Sequence, residues 1–448
     1  MKHIMAILIS VFSLGYHGKT IDFEKYSPCH RTTVAHFLNK GKWDDAKLEN
    51  ILKSTVIQFI YKEAQRSGKP VFCIVDDTIS SKTKPSSRAL HPIEDAYFHQ
   101  SHLKGKQDYG HQAVAVMLSC NGIVLNYAIV MYDKSKSKVK IVQEIADELP
   151  VPPVVSYFLC DSWYTCGGIM DAFIKKGFYT LGALKTNRVL YPCGIKQKVG
   201  EFALHIRKTD AAVSLVTVGS RSYYIYRYEG NLNGIENAVV LISYPKDAFH
   251  VPKALRAFIS TDVSLSTREI LDIYVERWPV EVFFRQAKDR LAFDRYQVRS
   301  SQGIRRYWLL MSLAHLLACT GCGETMSFED GYAYIYSHIQ EERIHFVYQC
   351  GAKHIGFDNE IEQIEDFELR ALKYFCYIAR TQMFIDGNKR VAQLMANKVL
   401  IENNIGIFQI PIEKLEEFKG ILIEFYETGS DTKIISFMKE YCIRRIQG

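Results

Sequence analysis

The chain has 448 residues, too many for one hydrophobic core, and its 48% apolar and 23% charged residues exclude a disordered or fibrous protein. Its charge of +7 is uneven: residues 357–448 carry 12 Lys/Arg against 15 Asp/Glu, net −3, which leaves 44 against 34, net +10, for residues 1–356. A basic body with an acidic tail fits either a polyanion partner for the body or a mildly basic enzyme.

In chain order, the apolar start "MKHIMAILISVFSLG" lacks a small-x-small cleavage site and leads into a polar, basic segment, so a core helix is expected there rather than a signal peptide. "YSPCHRTTVAHFLNKG" reads as a short helix with Ser27 as N-cap, Pro28 at the first helical position and Gly41 beyond its end. A second helix is expected from Asp44 to Arg66, closed by Ser67-Gly68. With Arg31, Thr32, Thr33 and His36 on the first of them, these helices fit a helix-turn-helix reader of DNA and a plain helical bundle equally.

The period then changes. "VFCIVDDT" is a strand running into Asp76 and Asp77, and "HQAVAVMLSC" and "IVLNYAIVMY" are strands joined by Asn121-Gly122, a strong hairpin signal. "VKIVQEIADELP" reads as a helix, "PPVVSYFLCD" as a strand ending at Asp161, "CGGIMDAFIKKG" as a helix and "FYTLGAL" as a strand. The order β-β-β-α-β-α-β, with the first three strands antiparallel, is that of a ribonuclease-H-like fold and would set two acids side by side on neighbouring strands. Residues 186–260 carry β-like runs such as "SYYIYRYEG" and "NAVVLISYP", a β-rich insertion. Helix returns at "STREILDIYVERW", where Ser266 and Glu269 form a capping box, and Pro279 must kink or restart it. The apolar run from Tyr307 to Cys319 is too short to span a bilayer, so no membrane association is expected. The eleven cysteines show no disulfide-like spacing, and the one CxxC, Cys319 to Cys322, has no second pair nearby, which favours buried free thiols in a reducing compartment over a zinc site.

One stretch concentrates the chemistry. In "YVERWPVEVFFRQAK", Glu281 stands four residues after Arg277, seven after Tyr274 and seven before Lys288, offsets that share a helical face. Pro279 interrupts that face on its N-terminal side, so Lys288 alone keeps the relation securely. Phosphoryl transfer on DNA uses two divalent ions about 4 Å apart, and hard Mg²⁺ prefers carboxylate and water oxygens. Asp76, Asp161 and Glu281 could form such a site, and the neighbouring cations could hold the DNA phosphates.

The spacing Tyr274-x2-Arg277-x3-Glu281-x6-Lys288 resembles the Tyr–Arg–Glu–Lys signature of a subgroup of bacterial insertion-sequence DDE transposases. "DDT" at Asp76–Thr78 resembles that family's first acid, with Asp77 as the alternative ligand, and "VVSYFLCD" resembles its second; the likeness covers residues 70–355. It implies an α/β, ribonuclease-H-like catalytic core in two parts, 71–185 and 261–355, around a β-rich insertion at 186–260; the helical segment at 1–70 lies outside the likeness and is the candidate DNA-binding part on its own residues. It further implies catalysis and binding of two Mg²⁺ or Mn²⁺ ions by Asp76, Asp161 and Glu281. Tyr274, Arg277, Lys288 and Arg285 would contact DNA, the partners being double-stranded transposon ends and target, in a homodimer, in the cytoplasm at the nucleoid. Trp163 and Trp278 are expected to pack in the core, with stacking on a displaced base as the alternative.

Residues 356–448 resemble a truncated all-α Fic-type AMP-transferase segment. Phe384, Asp386, Gly387, Asn388 and Arg390 match that family's loop, and Asp386, Gly387, Asn388 and Arg390 would be its degenerate nucleotide-binding set. Gln382 and Met383 replace the loop's His and Pro, and a Gln cannot accept a substrate proton near neutral pH, so a fused, inactive remnant is expected. Two other functions stay in play: a DNA-binding regulator with a dead nuclease core, against which the three intact acids argue, and nucleotidyl transfer by the tail, against which Gln382 argues.

Overall fold

A computed structural model of the chain describes residues 2–13, 16–24, 31–89, 92–101, 105–321, 325–352, 359–381 and 388–445. Helices α1 (Lys2–Val11), α2 (Thr20–Glu24), α3 (Arg31–Asn39) and α4 (Asp45–Ser67) lead the chain. Asp44 caps α4 by accepting the Lys47 N–H, and Gly68, in the left-handed region, ends it. Ser27 and Pro28 lie outside the described residues. These helices do not keep a core to themselves: Ile7, Phe23, Val34 and Val56 belong to the same buried cluster as the central strands. The Arg306 guanidinium fastens them, donating to Asp45 and to the carbonyls of Phe37, Leu38, Gly41 and Trp43 while lying 4.8 Å from the Trp43 ring.

The central sheet follows. Strands β1 (Val71–Ser81), β2 (Tyr97–Ser101), β3 (Lys106–Cys120) and β4 (Ile123–Tyr132) are antiparallel neighbours, then come α5 (Lys138–Glu148), β5 (Ser156–Cys160), α6 (Gly167–Lys175) and β6 (Phe178–Leu184). β5 lies parallel to β1 and β6 parallel to β5, so the central order is β4-β3-β1-β5-β6, that of the ribonuclease-H-like layout. Asn121 and Gly122 both take positive φ, 49° and 84°, as the tight β3–β4 turn requires. Residues 110–120 of β3 are all buried, which matches its near-continuous apolar run. β2 was not anticipated: its "YFHQS" alternates weakly and is recruited by pairing with the β3 end.

The β-rich segment does not form a separate sheet. Short β7 (Val189–Leu190), β8 (Gln197–Lys198) and α7 (Val199–Phe202) precede β9 (Val213–Val218), β10 (Arg221–Leu232), β11 (Ile235–Pro245) and β12 (Arg256–Ser260). β12 pairs with β6 on one side and β11 on the other, so the insertion extends the central sheet edgewise, over a second buried cluster that includes Leu184, Val240 and Ile259. The chain then forms α8 (Thr267–Val275), α9 (Pro279–Asp289), α10 (Ser301–Thr320) and α11 (Phe328–Ala352). Pro279 opens α9 as its first residue, so the expected interruption is a full restart. Among the described residues no helix is long and apolar enough to cross a membrane.

The last part comprises α12 (Asn359–Glu362), α13 (Phe367–Thr381), α14 (Asn388–Glu402), β13 (Gly406–Phe408), α15 (Leu415–Thr428), α16 (Thr432–Tyr441) and β14 (Ile443–Arg445), so it is not all-α as expected: β13 and β14 pair as a small antiparallel sheet. Its buried side chains, among them Phe375, Phe408, Phe418, Phe425 and Met438, form a cluster of their own.

Candidate functional site

The site grows from the place where β5 stops. The last rung between β1 and β5 joins Val75 to Cys160, so Asp76 and Asp161 are the next residues on two neighbouring parallel strands. β1 does not end at its acids as the sequence suggested: it runs on to Ser81, because β3 continues to pair with it as far as Gly110. Alternation along β1 sends Asp76 and Asp77 to opposite faces. Asp76 and Thr78 face α9, whereas Asp77 meets the first residue of α5.

Asp76 Oδ1 accepts its neighbour's N–H at 2.8 Å and Oδ2 accepts from Arg277 Nη1 at 3.0 Å. Burial pushes this carboxyl up to about 7; Arg277 and the Asp77 N–H pull against the rise, and the charges of Asp161 and Glu281 add to it. Asp161 Oδ1 accepts the N–H groups of Trp163 and Tyr164, at 2.8 and 3.3 Å, in the turn after β5. Glu281 stands on the first turn of α9 and accepts from Arg277 Nη2 at 3.4 Å. α9 explains the mixture of cations and apolar residues around that acid: Val280, Phe283, Phe284 and Ala287 are buried, while Glu281, Arg285 and Lys288 stay on the open side.

The cations are arranged less uniformly than their spacing suggested. Arg277 bridges Asp76 and Glu281. Its guanidinium lies 6.0 Å from the Tyr274 ring, which packs against Phe258. Lys288 donates to Thr78 Oγ1 at 2.7 Å, a partner on β1 that its spacing from Glu281 does not reveal. Arg285 is exposed. Trp163 and Trp278 do not pack in the core: they are 37% and 61% exposed, one beside Asp161 and the other at the start of the Glu281 helix, because the turn and the helix restart that carry them face solvent.

Asp77 is fully engaged on the other face. It accepts from Gln112 Nε2 at 2.6 Å, Lys138 Nζ at 2.8 Å and Tyr164 Oη at 2.7 Å. A carboxylate so used has little capacity left for an ion, which favours Asp76 over Asp77 as ligand. Gln112, Lys138 and Tyr164 escaped sequence reasoning because their contacts cross from β3, α5 and the turn after β5.

As chemistry, the donor set suits a hard divalent cation: Asp161 Oδ2 and Glu281 Oε2 accept no hydrogen bond among the described residues, and carboxylate oxygens are what such an ion prefers. With the Arg277 guanidinium lying between Asp76 and Glu281, no three acidic, His or Cys side chains among the described residues close into one ion-holding cluster.

Later in the chain, Gln382, Met383, Phe384, Asp386 and Gly387 lie outside the described residues; Asn388, which is buried, and exposed Arg390 open α14. The free cysteines at 73, 120, 160, 319, 376 and 442 are buried as expected, whereas Cys166 is half-buried and Cys193, on a turn, is exposed.

The profile of one protein family, described as the transposase DDE domain, matches residues 67–317. No curated protein matches the chain. The matched span begins at the end of α4, takes in Asp76, Asp161 and Glu281, and covers more than half of the chain, which therefore belongs to the DDE-domain transposase family.

Proposed function

We propose that the chain cuts DNA at the ends of an insertion sequence and joins the freed 3′ hydroxyl to target DNA. The observation that carries this reading is the placement of Asp76 and Asp161 on adjacent strands just where their pairing ends, with Glu281 joined to Asp76 through Arg277. Two divalent ions such as Mg²⁺ or Mn²⁺ would supply Lewis-acid activation of the attacking and leaving oxygens, and Asp76, Asp161 and Glu281 are the residues to hold them. Arg277 serves two partners in turn: on taking a DNA phosphate it releases Asp76 and Glu281 for the ions. Lys288 and Arg285 lie on the same open side of α9 and bind the backbone as it reaches the acids, with Tyr274 supporting Arg277. Exposed Trp163 and Trp278 flank the acids and suit stacking on an unpaired base. The body is basic, as a DNA partner requires, and two copies acting on paired ends would place one site at each end.

The tail is a Fic-like remnant that takes no part in this chemistry; its separate apolar core supports that reading. The direct test uses labelled DNA spanning the flanks of the reading frame. Cleavage in Mg²⁺ that Asp161→Ala abolishes, with DNA binding in Ca²⁺ retained, is the expected result. Binding with no cleavage by the unaltered protein would instead make the chain a DNA-binding regulator.

A further inference from the structure

The ladder that aligns β1 with β5 gives out one residue too early to fix the two strand acids. Its last rung is Val75 to Cys160, and β5 ends there, so backbone pairing does not set where Asp161 lies relative to Asp76. A metal site tolerates little error in such a separation, because ligand distances are held within a few tenths of an ångström.

One residue spans the gap. Tyr164, with 0% of its surface exposed, donates its phenol to Asp77 Oδ2 at 2.7 Å, while its backbone N–H faces Asp161 Oδ1 at 3.3 Å. Its position is braced by the Trp163 ring, whose centroid lies 4.7 Å from its own. Asp77 in turn presents its N–H to Asp76 Oδ1 at 2.8 Å. Hydrogen bonds thus run from the first acid through Asp77 and Tyr164 to the second. Asp77 itself is held by Gln112 on β3 and by Lys138, whose Nζ also lies 4.2 Å from the Trp163 ring centroid. The charge of Asp77 is compensated by Lys138, and both side chains are less than one-fifth exposed.

We infer that Asp77 and Tyr164 are positioning residues that set the separation of Asp76 and Asp161 for metal binding, with Asp77 itself not a ligand. This rests on the proposed reading of Asp76 and Asp161 as metal ligands. Supporting partners of this kind change metal affinity by roughly 10–100-fold when removed. A residue that only stabilised the turn would leave metal affinity in the folded protein unchanged.

The test is calorimetric titration of the full-length protein with Mn²⁺ alone, alongside thermal unfolding, for Tyr164→Phe, Asp77→Asn, the double variant, Asp76→Asn and Asp161→Asn. Tyr164→Phe, which keeps the buried ring, is expected to weaken Mn²⁺ binding about tenfold. Asp77→Asn should weaken it at least as much, and the double variant no further than Asp77→Asn, since both break one link. Unchanged Mn²⁺ affinity in Tyr164→Phe and Asp77→Asn, with loss in Asp76→Asn and Asp161→Asn, overturns the positioning role and leaves the metal site standing. Loss of binding in Asp77→Asn with no effect of Tyr164→Phe makes Asp77 a ligand and overturns it too. Unchanged affinity in Asp76→Asn and Asp161→Asn removes the metal-site reading itself. If Asp77→Asn fails to fold, Lys138→Met probes the same carboxylate from its other side, and an unchanged affinity there and in Tyr164→Phe counts against the inference.

Discussion

The catalytic body and the tail bury their residues in different ways. Around the junction of β1, β5 and α9 the body draws charged groups out of solvent: Asp76, Asp77, Lys138 and Arg277 all have less than one-fifth of their side chains exposed. Such burial is costly unless every charge is paired, and here each one is. The tail does the opposite. Its core is apolar and aromatic, Asn388 is its buried polar side chain among the described residues, and ion pairs such as Lys439–Asp366 and Arg445–Glu368 have at least one strongly exposed partner, with Lys373–Asp431 half-buried. The difference is one of packing: the body takes paired charges out of solvent, and the tail buries apolar rings.

Substitution of an acid should separate the two regions most strongly. Asp76→Ala, Asp161→Ala and Glu281→Ala are each expected to reduce end cleavage to background with end binding kept, whereas Asn388→Ala in the tail should leave cleavage unchanged; a gel assay of labelled end DNA in Mg²⁺ and Ca²⁺ checks both. Wild-type-like cleavage by Asp161→Ala would break the comparison at its root.

Next in size is the tail's own core. Phe418 is 2% exposed and sits 6.0 Å, centroid to centroid, from both Phe375 and Phe437. Phe418→Ala should cost the tail about 3–5 kcal/mol. Hydrogen exchange read by mass spectrometry should show lost protection across residues 367–441 and none across β1 or β5. Loss of protection in both would mean that the two regions unfold as one.

Acid provides a third contrast. All 14 histidines lie in residues 1–356, and the tail has none. Burial in α10 lowers His315 to about 4, so between about 6.5 and 4 the unfolded chain takes up a proton that the folded one refuses. Stability from this group is therefore full above 6.5 and lost as pH falls, by about 2 kcal/mol at pH 5. Asp76, with its raised value, works in the opposite sense over part of that range. The measurement is thus the difference between the unaltered protein and His315→Met in denaturant unfolding at pH 5 and pH 7. Fluorescence reports the body alone, since Trp43, Trp163, Trp278 and Trp308 are all in it. An identical pH response in the two proteins would remove His315 from the account.

A smaller effect is expected from Lys288→Ala, which should weaken binding of end DNA and lower the slope of log affinity against log salt by roughly one unit. A shift in the Mg²⁺ requirement with unchanged DNA affinity would instead assign Lys288 to the ions. Smallest of all, deleting residues 357–448 should leave cleavage within several-fold of the full chain, because the tail carries its own core. Aggregation of the shortened chain would show that the body needs the tail's cover.

Much of the site was legible in the sequence because its signals are local. Asp76 and Asp161 close apolar runs, the Ser266–Glu269 capping box and Pro279 mark where α8 begins and α9 restarts, and the relation of Glu281 to Lys288 is fixed by helix geometry. The choice of Asp76 over Asp77 rested on family likeness alone, with Asp77 kept as the alternative, since both stand in the same strand. It turns on which face of β1 meets Arg277 and which meets Lys138, Tyr164 and Gln112. The exposure of Trp163 and Trp278 was misjudged for a related reason: residue type favours burial, but neighbouring elements decide it.

By itself, then, the sequence indicated most of the strands and helices between Val71 and Leu184 and the spacing of the candidate acids and the cations beside them, because periodicity, caps and turn residues act within a few positions. Tertiary structure alone decided that the β-rich segment joins the central sheet through β12 and β6, that Arg277 lies between Asp76 and Glu281, and that Phe408 and Phe425 are covered within the tail. Each of these depends on which distant surfaces meet, and strand edges, charges and aromatic rings satisfy themselves with whatever partner the fold brings within a few ångströms.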